Sequence, residues 1–104
     1  MTNSTKAPKR LSAEAKRWWN AIVEEYEVSD SAGRLLLENA LTAFDEMRKA
    51  QAIIAEEGQV VEDRFKQKRQ HPATLVLRDS RNLMLRSLKQ LNLDIAPGSP
   101  LGSR

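Results

Sequence analysis

Cysteine is absent from this 104-residue chain, and histidine occurs once, at His71. No disulfide can form and no thiolate metal site is available, so nothing argues for an oxidising compartment. A lone histidine cannot serve a Cys–His pair. His71 also precedes a proline, with no nucleophile-elbow motif anywhere in the chain. The four glycines, at 33, 58, 98 and 102, are too scattered for a phosphate-binding loop. No apolar run approaches the ~18 residues of a membrane span. The polar segment 1–10 has no apolar stretch of the kind a secretory signal requires. These absences point to a soluble, intracellular protein that is not an enzyme and carries neither cofactor nor metal.

What is present is charge, unevenly distributed. Lys and Arg total 17 against 14 Asp and Glu. Residues 1–29 carry a net +1, residues 30–58 a net −3 and residues 59–104 a net +5. A basic C-terminal half beside an acidic middle fits either a solvated mixed surface or a surface that faces phosphates.

Helical periodicity dominates the rest. Ser12 is a good N-cap. After it Ala15, Trp18, Trp19, Ile22, Val23 and Tyr26 recur at helical spacing, predicting a helix over 13–27. Ser29 or Asp30 can cap a second helix over 30–57, which stops at Gly58. Gly33 lies in its first turn, where a glycine costs little. Residues 58–70 contain β-branched Val60 and Val61 and then a basic run, and read as a loop or two-stranded flap. Pro72 suits the first turn of a third helix, over 72–92. Residues 1–10 and the Pro/Gly-rich residues 94–104 read as disordered tails flanking one all-α domain over 11–93.

The second helix is too long for a compact protein of this size. Twenty-eight residues span about 42 Å, whereas a globule of 104 residues has a diameter of roughly 33 Å. No proline offers a kink. The expectation is an elongated protomer built on a long helical hairpin, with more apolar surface than it can cover alone. Leu35-Leu36-Leu37 and Leu83-Met84-Leu85 are consecutive apolar triplets that must face more than one side of a helix. Leu36, Leu37, Leu41, Phe44, Met84 and Leu88 are the candidates for contact between subunits in a closed homo-oligomer of more than four copies. The competing reading packs both sides of each helix into the protomer's own core.

Three groups of residues invite a functional reading. Trp18 and Trp19 could stack on bases, but their register with Ile22 and Val23 favours core anchoring. Glu62-Asp63 with Lys66 and Lys68 only faintly matches a metal-dependent nuclease, because such sites need a further carboxylate on a supporting sheet. Arg64, Lys66, Lys68 and Arg69, with Phe65 among them, form a basic insert suited to phosphate contact, with Lys6, Lys9 and Arg10 as a second cluster. Arg78, Arg81, Arg86 and Lys89 on the third helix are the competing basic site.

The order of these features resembles the small subunit of tailed-phage terminases. The elements are Leu11-Ser12-Ala13-Glu14-Ala15 through Trp18 and Trp19, Ser29-Asp30, a long helix ending Glu57-Gly58, Lys68-Arg69-Gln70-His71-Pro72, and Leu91-Asn92-Leu93 before a proline tail. The resemblance spans about residues 11–97. It implies a non-catalytic ring in the host cytoplasm that binds double-stranded viral DNA and recruits and regulates the large ATPase–nuclease subunit. The alternative is a structural or adaptor protein of phage head assembly that binds no DNA.

Overall fold

A computed structural model describes residues 6–91. The readings of residues 1–5 and 92–104 lie outside the described residues. Three helices run in chain order: α1 (Ala13–Tyr26), α2 (Ser31–Glu57) and α3 (Pro72–Gln90). A two-stranded hairpin, β1 (Val60–Glu62) and β2 (Lys68–Gln70), lies between α2 and α3. The body is elongated, with extents of 59 × 29 × 20 Å and a radius of gyration of 16.1 Å. The fold is thus mostly helical, and the expected helical hairpin is its spine.

Each helix begins where the local chemistry says it should. Ser12 Oγ accepts from the Ala15 N–H at 3.0 Å, and Asp30 Oδ2 accepts from the Gly33 N–H at 3.3 Å. The third cap is His71, whose Nδ1 accepts from the Ala73 N–H at 3.0 Å. Gly33 has a stronger reason to be glycine than its position in a first turn. A Cβ there would stand 2.7 Å from Asp30 Oδ1 and 3.1 Å from Val28 Cγ1.

α2 is the central element. On one side its buried Ala40, Ala43, Met47 and Ala50 form a narrow stripe at helical spacing. α3 packs along α2, with its own Ala73, Met84 and Leu88 buried in return. On another side, α2 holds α1 and its lead-in through polar bonds. Asp45 accepts from both the backbone N–H and the hydroxyl of Ser12. Arg48 forms a two-point pair with Glu14, at 3.2 and 3.0 Å. Arg10 reaches Glu38 and Thr42, each at 2.7 Å. Ala7 packs against the core and Leu11 is buried within it. Residues 6–10 are therefore docked on α2, and the expectation of a free tail is revised for them.

One core cluster unites the helices. Trp19, Leu37, Leu41 and Leu88 are its largest fully buried side chains, joined by Ile22, Phe44, Met47 and Met84. This corrects the expected subunit interface. Leu37, Leu41, Phe44, Met84 and Leu88 lie inside the protomer, and Leu36 is half-buried. The most strongly apolar positions close the core first because that removes them from water on folding. From each apolar triplet the residues left outside are Leu35, 61% exposed, and Leu83, 44% exposed.

Candidate nucleic-acid interface

The hairpin projects where α2 ends and α3 begins. Gly58 turns the chain out of α2 at φ 86°, and its N–H donates to Ile54 O at 2.7 Å. The strands then pair antiparallel, Val60 with Gln70, Val61 with Arg69 and Glu62 with Lys68. The His71 N–H donates to Gln59 O at 2.7 Å and closes the base of the ladder. The histidine side chain ties the same junction, since Nε2 lies 2.7 Å from Glu57 Oε1. Because Nδ1 accepts the Ala73 cap bond, the proton belongs on Nε2 and is donated to Glu57. His71 therefore joins two helix ends.

Asp63 builds the turn. Its Oδ1 accepts from the Phe65 N–H at 2.8 Å and the Gln67 N–H at 3.0 Å. Its Oδ2 accepts from Arg69 Nε at 2.7 Å. The Arg69 guanidinium, then the backbone amides of Gln67 and Phe65, hold its carboxyl below its ordinary pKa. Backbone bonds from Lys66 N–H to Asp63 O and from Asp63 N–H to Gln67 O complete a three-residue loop. Lys66 takes the left-handed position of that loop, at φ 62°. Asp63 is thus the organiser of a turn. Among the described residues no group of three or more His, Asp and Glu side chains could hold a metal ion.

This turn presents cations. Arg64, Phe65, Lys66 and Lys68 are exposed, with Phe65 at 68%. The Arg64 guanidinium lies over the Phe65 ring, 5.0 Å from its centroid. Among the described residues, Arg64, Lys66 and Lys68 form no ion pair, while Arg69 is paired with Asp63. The structure thus brings the four expected cations of the insert together and leaves three of them free.

The N-terminal cluster is elsewhere. Arg10 is bound at Glu38, and 19 residues of helix, about 28 Å, separate Glu38 from the end of α2. Lys6 and Lys9 are exposed beside that docked segment. They therefore do not extend the basic surface of the hairpin. Trp19 is buried in the core, and Trp18 is half-buried beside Glu14, Arg17 and Ala21. The sequence marks Phe65 as the aromatic of the basic insert, without a role of its own. Its signal was an aromatic within a run of cations and outside any helical stripe.

Chain order and site now meet an independent comparison. A family model described as phage terminase, small subunit, matches residues 15–101. The chain belongs to the phage terminase small-subunit family. No curated protein and no solved structure matches it. The match covers α1 from Ala15 on, α2, the hairpin and α3, so the basic tip lies within the terminase small-subunit region. Among the described residues no helix is long and apolar enough to cross a membrane.

Proposed function

We propose that this terminase small subunit is a ring-forming, non-catalytic DNA-packaging component that meets viral DNA through its hairpin tip and serves the large ATPase–nuclease subunit in the host cytoplasm. The observation that carries the reading is the placement of Arg64, Lys66 and Lys68, without ion pairs among the described residues, at the end of a two-helix stalk. Side chains held in this way contact the phosphate backbone, which contributes affinity but little sequence information. One hairpin offers few contacts. A ring repeats them by symmetry, and weak contacts linked in one assembly act as a multivalent array. Family membership supports the packaging role and the association with a large subunit. The exposed apolar residues Leu35, Ile53, Leu75, Val76 and Leu83 support self-association.

The test is a variant with Arg64, Lys66, Lys68 and Arg69 all changed to Ala, titrated with duplex DNA at several salt concentrations. Wild-type affinity falls steeply with salt, by a log–log slope of about −0.9 per phosphate neutralised. The variant binds weakly and with a flattened slope. An intact oligomer with unchanged affinity and slope would move the DNA contact away from the hairpin.

A further inference from the structure

Two charged patches of opposite sign have no use inside the protomer. At the end of α1, Glu24, Glu25 and Glu27 are exposed and form no ion pair among the described residues. Their position is locally unfavourable, because carboxylates sit at the negative end of a helix dipole and no basic residue offsets them in the last turn. Glu27 is moreover in the left-handed conformation, φ 52°, where glycine would be at ease. A residue that conflicts with its local structure points to a demand from outside that structure. On α3, Arg81, Arg86 and Lys89 are exposed and likewise form no ion pair among the described residues. Round the helix they follow in the order Arg81, Lys89, Arg86, with exposed Leu83 beyond Arg86.

The end of α1 and the far end of the α3 patch flank the molecule at one height. α1 and its lead-in are held by the Glu38, Thr42, Asp45 and Arg48 side of α2, whereas Ala40, Ala43, Met47 and Ala50 are buried on another side, to which we assign α3. At 100° per residue the two stripes are well separated around α2, so the outer sides of α1 and α3 face away from each other. The end of α1 is level with the first turn of α2, because Val28 touches the Gly33 position. Ala73, Ala50 and Ile53 line one hollow between α2 and α3. From Ala50 back to Gly33 is about 26 Å of helix, and from Ala73 on to Lys89 is about 24 Å. Lys89 is therefore also level with the first turn of α2, and Arg81 lies about 12 Å nearer the hairpin.

We propose that Glu24, Glu25 and Glu27 of one copy dock against Arg81, Arg86 and Lys89 of the next, making the head-to-tail contact of the ring. The inference rests on the ring reading above and assigns its surfaces. Opposite charges fix register and discriminate against wrong pairings. Because the carboxylates lie level with Arg86 and Lys89, repetition turns about an axis parallel to the long helices, and head-to-tail contacts of that kind close into rings. Tyr26 on one side and Leu83 on the other supply apolar area beside the charges. The hairpins of all copies then gather at one end of the assembly.

The test is a reciprocal charge exchange read by native mass spectrometry and sedimentation. One variant is E24K/E25K/E27K and the other R81E/R86E/K89E. Each alone carries like charges on both surfaces and is expected to be monomeric, its self-association weakened about tenfold or more. Mixed in equal amounts they alternate, present complementary surfaces at every junction of an even-membered ring, and form an oligomer containing both chains in equal number. A single chain carrying all six changes also assembles. Assembly by the mixture further shows that both variants are folded. If either triple variant assembles as wild type does, or the mixture stays monomeric, the assignment of surfaces is overturned while the ring stands. A wild-type chain that is monomeric at all concentrations overturns the ring itself. An R81E/R86E/K89E variant that keeps its oligomer but loses DNA binding would give the α3 patch to DNA.

Discussion

Three residues show how a single position can carry a local decision. Gly33 is one, because the Asp30 cap occupies the space of its missing Cβ. Alanine is the better helix former by roughly 1 kcal/mol, yet Gly33→Ala should destabilise the chain. The methyl group displaces a capping carboxylate whose loss costs about 1 kcal/mol and crowds the buried Val28. A lowered melting temperature is the expected result. Lys66 is the second, since a side chain at φ 62° is strained and glycine is not. Lys66→Gly should stabilise the hairpin by about 1 kcal/mol while removing one cation from the tip. Asp63 is the third. Its carboxyl titrates below its ordinary value in the folded chain, so its contribution is complete above the unfolded pKa and is lost as pH falls through the folded one. Hairpin amide signals of Phe65 and Gln67, followed by NMR, should stay put through neutral and mildly acidic pH and move toward random-coil positions only below the usual carboxylate range. In Asp63→Asn the two amide bonds persist and this acid transition disappears.

At the level of elements, the helices were legible because each has an apolar stripe and a cap that the sequence displays. The expected spans 13–27, 30–57 and 72–92 match α1, α2 and α3 to within two residues at each end. The two-stranded flap was legible from Val60 and Val61 but not its geometry, which depends on one carboxylate and one left-handed lysine. The docking of Arg10 was not legible, because its partners Glu38 and Thr42 are 28 and 32 residues away. Nor can a triplet such as Leu35-Leu36-Leu37 declare which leucine faces inward, and the candidate interface was accordingly assigned to core residues. The junction between α2 and α3 offers a test of how elements are joined. His71→Ala removes the cap of α3 and the bond to Glu57, and should cost about 1 kcal/mol. His71→Asn keeps an acceptor for the Ala73 N–H and should recover most of that loss. Thermal melts of both variants, with hydrogen exchange at the start of α3, measure the difference.

For the whole molecule, length is what sets the basic hairpin apart from the core. Here 27 residues of α2 carry the hairpin away from the three-helix core. Charge and assembly then make opposite predictions for one variant, which separates them. Each exchange in E24K/E25K/E27K adds two positive charges to a chain whose formal charge is +3. If net charge governed DNA binding, this variant would bind duplex DNA more tightly than wild type. If the hairpins act as an array, breaking the ring removes the linkage between weak contacts, and avidity of about 100-fold or more is lost with it. The expectation is therefore weaker binding by the more basic protein, with a shallower salt slope because each monomer neutralises fewer phosphates. Adding R81E/R86E/K89E in equal amount, a chain more acidic than wild type, should restore both affinity and slope by restoring the ring. Tighter binding by E24K/E25K/E27K, or no recovery on mixing once the mixed ring is seen by mass, would mean that the hairpins act singly.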